Sequence, residues 1–177
     1  AYDFQAAHQY LAKMKNMIET YEVKYAQKIN NQQKETKERK RYDTMRSIYS
    51  EAKTYVYEKE YLYLYSLGND DAKQRILYLL KEEGEESSRI NMLLDLAIEN
   101  DDVGFVKTLA KQDQVSSSSL QKVVRFLYIE RGSEHLDFLT TLLNSKNERD
   151  ILPKAAIDKD DEQFVVAFAK QYGGTMD

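Results

Sequence analysis

The sequence predicts an all-α protein: an N-terminal helical hairpin or coiled-coil segment leading into an α-solenoid of about four helix-turn-helix repeats. Three observations carry that expectation. Only 6 Gly and 1 Pro occur among 177 residues, too few turn formers for a sandwich or barrel. Hydrophobic residues make up 42% and charged residues 32%, enough apolar material for a sizeable core and enough charge to solvate long helical faces. Apolar positions also recur at spacings of three and four along much of the chain.

The first segment, residues 1–52, opens with Phe4, Ala7, Leu11, Met14, Ile18, Tyr21 and Tyr25, the seam of a coiled coil or a helix pair. The polar run NNQQKETKERKR interrupts it, and Tyr42, Met45, Tyr49, Ala52 and Val56 resume the spacing in a shifted register. An antiparallel hairpin bending between Asn30 and Lys37 is preferred to one long helix with a solvated middle. Its second helix then runs straight into the first repeat, and the pair caps the open end of the solenoid. The same seam is able to join two copies as a homodimer.

The stretch TYVYEKEYLYLYSLG, Thr54 to Gly68, alternates Tyr61, Tyr63 and Tyr65 with leucine as a half-buried strand would. Comparison along the chain assigns it to a helix instead. Leu67, Ile98, Ile129 and Ile157 recur at steps of 31, 31 and 28 residues, three of them just ahead of an acidic turn. Upstream of them, Tyr61 aligns with Met92, Val123 and Ile151; Leu62 with Leu93, Val124 and Leu152; Tyr65 with Leu96, Leu127 and Ala155. Ser66, Ala97, Tyr128 and Ala156 form a mostly small column, whereas the columns of Tyr63 and Leu64 are mixed. Spacing of i, i+1, i+4, i+5 describes a helix face.

A second helix follows each turn, through Ile76, Phe105, Phe138 and Phe164 and the columns of Leu77 and Leu80, with longer turns expected in the first and third units. The repeats span about 53–83, 88–112, 117–145 and 148–172, leaving 173–177 as a tail. One such hairpin cannot bury its apolar face alone; stacked hairpins share a core. The connectors GEESS and QVSSSS offer Ser N-caps, and Pro153 stands near the start of the last unit's first helix.

Leu94 to Lys111, LDLAIENDDVGFVKTLAK, resembles the helical half of a degenerate ankyrin repeat, as does KAAIDKDDEQFVVAFAK from Lys154 to Lys170. The resemblance covers mainly residues 61–172. No unit carries Thr-Pro-Leu-His, and the period leaves no room for the ankyrin β-hairpin, so a tetratricopeptide-like or family-specific α-solenoid stays open. The resemblance implies a recognition scaffold and transfers no binding residue.

Chemistry-bearing patterns are sparse. No Cys is present, which removes thiolate chemistry and disulfides together. His8 and His135 are the only histidines and belong to no metal-binding or triad-like pattern; no Gly-rich phosphate loop or nucleophile elbow occurs. The chain is expected not to be an enzyme and to hold no cofactor or metal. The turn acids Asp70, Asp71, Asp101, Asp102, Asp160 and Asp161 are expected to cap helices and complement their dipoles rather than bind a cation.

The net charge of -4 offers no general pull on nucleic acid or an anionic membrane. Lys34, Lys37, Arg39, Lys40, Arg41 and Arg46 form a local basic run, diluted by Glu35, Glu38 and Asp43; phosphate, lipid-head-group or nucleic-acid binding there is the second reading. The first is a protein-protein interaction module, an adaptor, regulatory or effector-type scaffold that meets its partner through the repeat surface. Tyr55, Tyr57 and Tyr63, outside or beside the predicted core face, are its candidate contacts. A helical enzyme with a site assembled from distant residues is the third. No apolar run reaches the length of a membrane span, and Ala1 opens no charged-then-apolar signal pattern. The expected compartment is the cytoplasm, or a host cell's cytosol for a delivered effector.

Overall fold

The computed structural model describes residues 2–30, 36–83 and 87–172. Every regular element among them is helical: α1 (Phe4–Ile29), α2 (Lys37–Leu67), α3 (Asp70–Glu83), α4 (Ser87–Glu99), α5 (Val103–Ala110), α6 (Ser117–Val124), a π-helical turn (Arg125–Ile129), a 3₁₀ turn (Ser133–His135), α7 (Leu136–Lys146), α8 (Ile151–Asp158) and α9 (Glu162–Tyr172). None of these helices is long and apolar enough to cross a membrane. The chain divides into two compact units, Ala1–Ile76 and Leu77–Asp177.

In the first unit, α1 and α2 form an antiparallel hairpin. Asp3 starts α1 by accepting the Ala6 N–H at 2.9 Å, and Thr36 starts α2 by accepting the Arg39 N–H at 3.1 Å. The Thr36 hydroxyl also donates to the Lys28 carbonyl at 2.8 Å, and Lys28 pairs with Glu38 at 2.7 Å, so the end of one helix is tied to the start of the next. The hydrogen bond and charge of Glu38 hold Lys28 above the usual lysine value, and those of Lys28 hold Glu38 below the usual carboxylate value. The bend itself falls on residues 31–35, outside the described residues. Ile18, Ile29 and Tyr42 form a buried cluster, flanked by Tyr21, Tyr25, Met45 and Tyr49 from the predicted seams. α2 continues without a break through the Thr54 to Gly68 stretch, as the column comparison requires. Gly68 ends it at φ +68, a left-handed position where glycine carries no Cβ penalty.

The first turn is shorter than expected. Asn69 accepts the Ala72 N–H at 2.8 Å directly after Gly68, so α3 begins at once and Ile76 stands a full helical turn deeper than its supposed counterparts. The turn after α6 is the long one, built from Gly132 at φ +90 and the 3₁₀ turn.

In the second unit the turns closing α4 and α8 use the same hydrogen bonds. Asp101 and Asp160 are left-handed at φ 59 and 57; the Asp102 N–H reaches the Ala97 carbonyl at 2.9 Å, and the Asp161 N–H reaches Ala156 at 2.9 Å. Asp102 then accepts the Phe105 N–H and Asp161 the Phe164 N–H, each at 3.1 Å. The turn acids therefore divide by position: one takes the left-handed conformation that Asp tolerates better than most residues, and the next caps the following helix. Asp70 and Asp71 sit in the first turn of α3, where Asn69 is the cap. Ser116 caps α6 as expected, accepting the Ser119 N–H at 3.2 Å, whereas the GEESS connector falls largely on residues 84–86, outside the described residues.

Within this unit α4 packs on α5 and α6, and α8 packs on α6, α7, α9 and the π-helical turn. Leu93, Val124 and Leu152 are buried, in line with their column, and Ala97, Tyr128 and Ala156 are buried in theirs. Burying a side chain of Val or Leu size contributes roughly 1.5–3 kcal/mol. The column of Leu67 and Ile157 is no core column: these two are 46% and 60% exposed, because each sits in a final helical turn where the chain leaves the packed face. Leu62 is exposed as well.

Candidate partner-binding surface

Tyr55, Tyr57 and Tyr63 all lie on α2, and their positions on the helix separate them. Tyr55 is 54% and Tyr63 52% exposed, whereas Tyr61 is fully buried and Tyr57 half-buried between the two conditions. Tyr57 meets the His8 ring nearly perpendicularly at 4.9 Å and lies 6.1 Å from the Tyr61 ring. It belongs to the joint between α1 and α2, so of the three candidates only Tyr55 and Tyr63 are more than half exposed.

The hairpin brings two further rings to them. Tyr2 lies 6.5 Å from Tyr55 and 4.8 Å from Phe4, and Phe4 lies 5.6 Å from Tyr63. The result is an exposed aromatic row across the start of α1 and the later part of α2, with Leu62 exposed beside Tyr63 and the Lys59 ammonium 5.6 Å from the centre of the Tyr55 ring. Tyr2 and Phe4 were not among the sequence candidates. Pairing the two seams in antiparallel register would have placed them here, since Phe4 must then face the sixties of α2.

Beneath the row, His8 Nε2 and Glu60 Oε2 approach to 2.5 Å. Glu60 is almost entirely buried, and a buried carboxyl requires a polar partner to offset its lost hydration. The contact explains the histidine structurally: it satisfies a buried acid and presents an edge to Tyr57. His135 is instead part of the 3₁₀ turn and lies 3.2 Å from Glu134.

The basic run is partly absorbed by the hairpin. Arg39 donates to the Ile29 carbonyl at 3.4 Å and lies 3.8 Å from Asp43. Arg41 stands over the Tyr21 ring at 5.7 Å, and Arg46 over the Tyr42 ring at 5.7 Å. Lys37 and Lys40 are exposed, and Lys34 lies outside the described residues. Arg39 and Arg41 thus tie α2 to α1, and Arg46 packs on a ring of its own helix, so the guanidinium groups are engaged within the hairpin.

Compared with protein-family models, with curated proteins and with solved structures, the chain matches none.

Proposed function

We propose that this chain is a protein-protein interaction module, an adaptor or effector-type scaffold, in which the aromatic row of the hairpin is one contact surface. The observation that carries the reading is the exposure of Tyr55 and Tyr63 on α2 together with Tyr2, just ahead of α1. Rigid amphipathic rings held on a helix lose little conformational entropy on binding, which is why tyrosine is enriched where proteins recognise one another. The ankyrin-like or related solenoid reading of the repeats is part of the same proposal. It is supported by the matching left-handed turns at Asp101 and Asp160 and the matching caps that follow them.

The test is capture of partners from a cell lysate by the intact chain and by Y55S/Y63S, washed at low and high salt. Retention of specific proteins at high salt by the intact chain, lost in the double variant while its helical circular dichroism is unchanged, is the expected result. Recovery of only nucleic acid or lipid, lost as salt rises, would overturn the reading in favour of the basic run.

A further inference from the structure

A second surface, in the unit Leu77–Asp177, carries a more specific inference. The α6 helix and its π-helical continuation are buried on most of their circumference: Val123, Val124, Phe126, Leu127 and Tyr128 are all in the core. The exposed face includes Ser118, Gln121, Lys122 and Arg125 and runs to the half-buried Ile129, and it forms one wall of a groove of about 730 Å³. Ile151, Lys154, Ala155 and Asp158 of α8 form the other. Lys159, just beyond α8, donates to the Tyr128 carbonyl at 2.8 Å, so the C-terminal ends of the two walls lie together and the helices run in the same sense. The π-helical turn spans Arg125 to Ile129, both of which line the groove, and such turns insert one extra residue and are frequent at functional sites.

We propose that this groove docks an acidic amphipathic helix of a protein partner, a proposal that rests on the interaction-module reading and names its partner's chemistry. Three cations line the groove against one acid, Asp158, although the chain as a whole is negative. They are not equally committed. Lys122 is held by both Asp95 oxygens, at 2.6 and 2.8 Å. Arg125 is 75% exposed, with Glu130 no nearer than 3.9 Å, and Lys154 forms no side-chain ion pair or hydrogen bond among the described residues. Arg125 and Lys154, one on each wall, are therefore the cations available to an incoming carboxylate. The half-buried Ile129 supplies apolar contact between them; Ile151 and Ala155 also line the groove but are themselves almost fully buried. Parallel walls that expose residues at three- and four-residue spacing suit a helix whose own apolar and acidic positions repeat at that spacing. Nucleic acid is disfavoured by Asp158 and by the lack of an aromatic side chain among the lining residues on which a base would stack.

The test titrates the full chain against a fluorescein-labelled peptide of Glu-Glu-Leu-Leu repeats, with a Lys-Lys-Leu-Leu peptide and an oligothymidine as the other arms, read by anisotropy at low salt. The chain's overall charge favours the lysine peptide, so tighter binding of the acidic one reports the groove. The reversal R125E/K154E should weaken the acidic peptide by about tenfold or more, and Asp158→Asn should strengthen it. K37E/K40E, in the hairpin, should leave it unchanged. The proposal is overturned if the acidic peptide binds no better than the lysine peptide, if R125E/K154E or Asp158→Asn leaves its affinity unmoved, or if oligothymidine binds as tightly and responds to the same changes. Loss of this docking would leave capture through Tyr55 and Tyr63 intact, so failure here is distinguishable from failure of the interaction-module reading.

Discussion

Four tyrosines of α2 give a graded test of which rings hold the hairpin together and which are free to bind. Consider Tyr→Ala at positions 55, 57, 61 and 63. Tyr61 is fully buried. An aromatic side chain of its kind removes roughly 150–250 Å² from water, about 4–6 kcal/mol at 25 cal/mol per Å², and measured truncations of large aromatic residues cost about 3–5 kcal/mol. Tyr57, half-buried with ring contacts to His8 at 4.9 Å and Tyr61 at 6.1 Å, should cost roughly half as much, about 2 kcal/mol. Tyr55 and Tyr63 retain more than half their exposure, and their ring contacts to Tyr2 and Phe4 are partly offset by the better helix propensity of Ala. Each should cost about 1 kcal/mol or less. Amide hydrogen exchange within α1 and α2 reports the opening of this unit without requiring the whole chain to unfold in one step. The expected order of lost protection is Tyr61, then Tyr57, then Tyr55 and Tyr63 together. If Tyr55→Ala or Tyr63→Ala lowers protection as much as Tyr61→Ala, these rings are core and the aromatic row is no binding surface.

Other perturbations probe the joints of the fold. His8→Ala strands the buried carboxyl of Glu60 and should destabilise the hairpin by about 2 kcal/mol, with part of the loss recovered by adding Glu60→Leu; thermal melts of the single and double variants check this. Asp102→Ala removes the cap of α5 and should cost about 1 kcal/mol, seen as reduced amide protection at Phe105; Asp160→Gly relieves a left-handed Asp and should raise stability by roughly 0.5–1 kcal/mol in urea melts.

The Tyr128–Asp161 hydrogen bond, 2.5 Å long, predicts a response at both ends of the pH scale. Burial, and then the hydrogen bond and charge of Asp161, raise the Tyr128 hydroxyl above its ordinary value, so its contribution is complete below about pH 10 and is lost as the unfolded phenol ionises above that. The Tyr128 hydrogen bond, and then the Phe164 N–H, hold Asp161 below the usual carboxylate value. Its contribution is therefore complete above about pH 4 and is lost as pH falls through the lower folded value. Tyr128→Phe should reduce the alkaline decline in Tm, leaving the part due to Tyr42, whose hydroxyl is also raised, by its hydrogen bond to Glu22 and by burial. It should also reduce the acid decline; an unchanged profile at both ends would show that the pair does not couple to folding.

Much of this architecture was written in local chemistry. The three-and-four spacing from Phe4 to Tyr25 and from Tyr42 to Val56 specifies two amphipathic helices, because a helix must turn one face to whatever buries it. Likewise, Thr36, Asp102, Ser116 and Asp161 mark helix starts, since short polar side chains satisfy the free N–H groups there within a few residues of chain. The turn after Leu67 was expected at Asp70 and Asp71; its left-handed residue stands earlier, at Gly68, and only the hydrogen bond from Ala72 to Asn69 puts the cap where it belongs.

The candidate surfaces depended on tertiary structure. Tyr55, Tyr57 and Tyr63 are chemically identical, and what separates two exposed rings from a joint is the angular position of His8 and Phe4 on a helix some fifty residues away. In the same way, nothing local distinguishes Arg125 and Lys154 from the other 24 Lys and Arg residues; they share a groove because the packing of α8 on α6 puts them on opposite walls. Sequence alone determined the helices, most of their ends and much, though not all, of the faces they bury, because those follow from hydrogen bonds and periodicity within one turn or two. Which exposed side chains stand together is set by contacts between residues distant in sequence, where helix rotation and crossing are chosen by packing, and only the tertiary structure decided it.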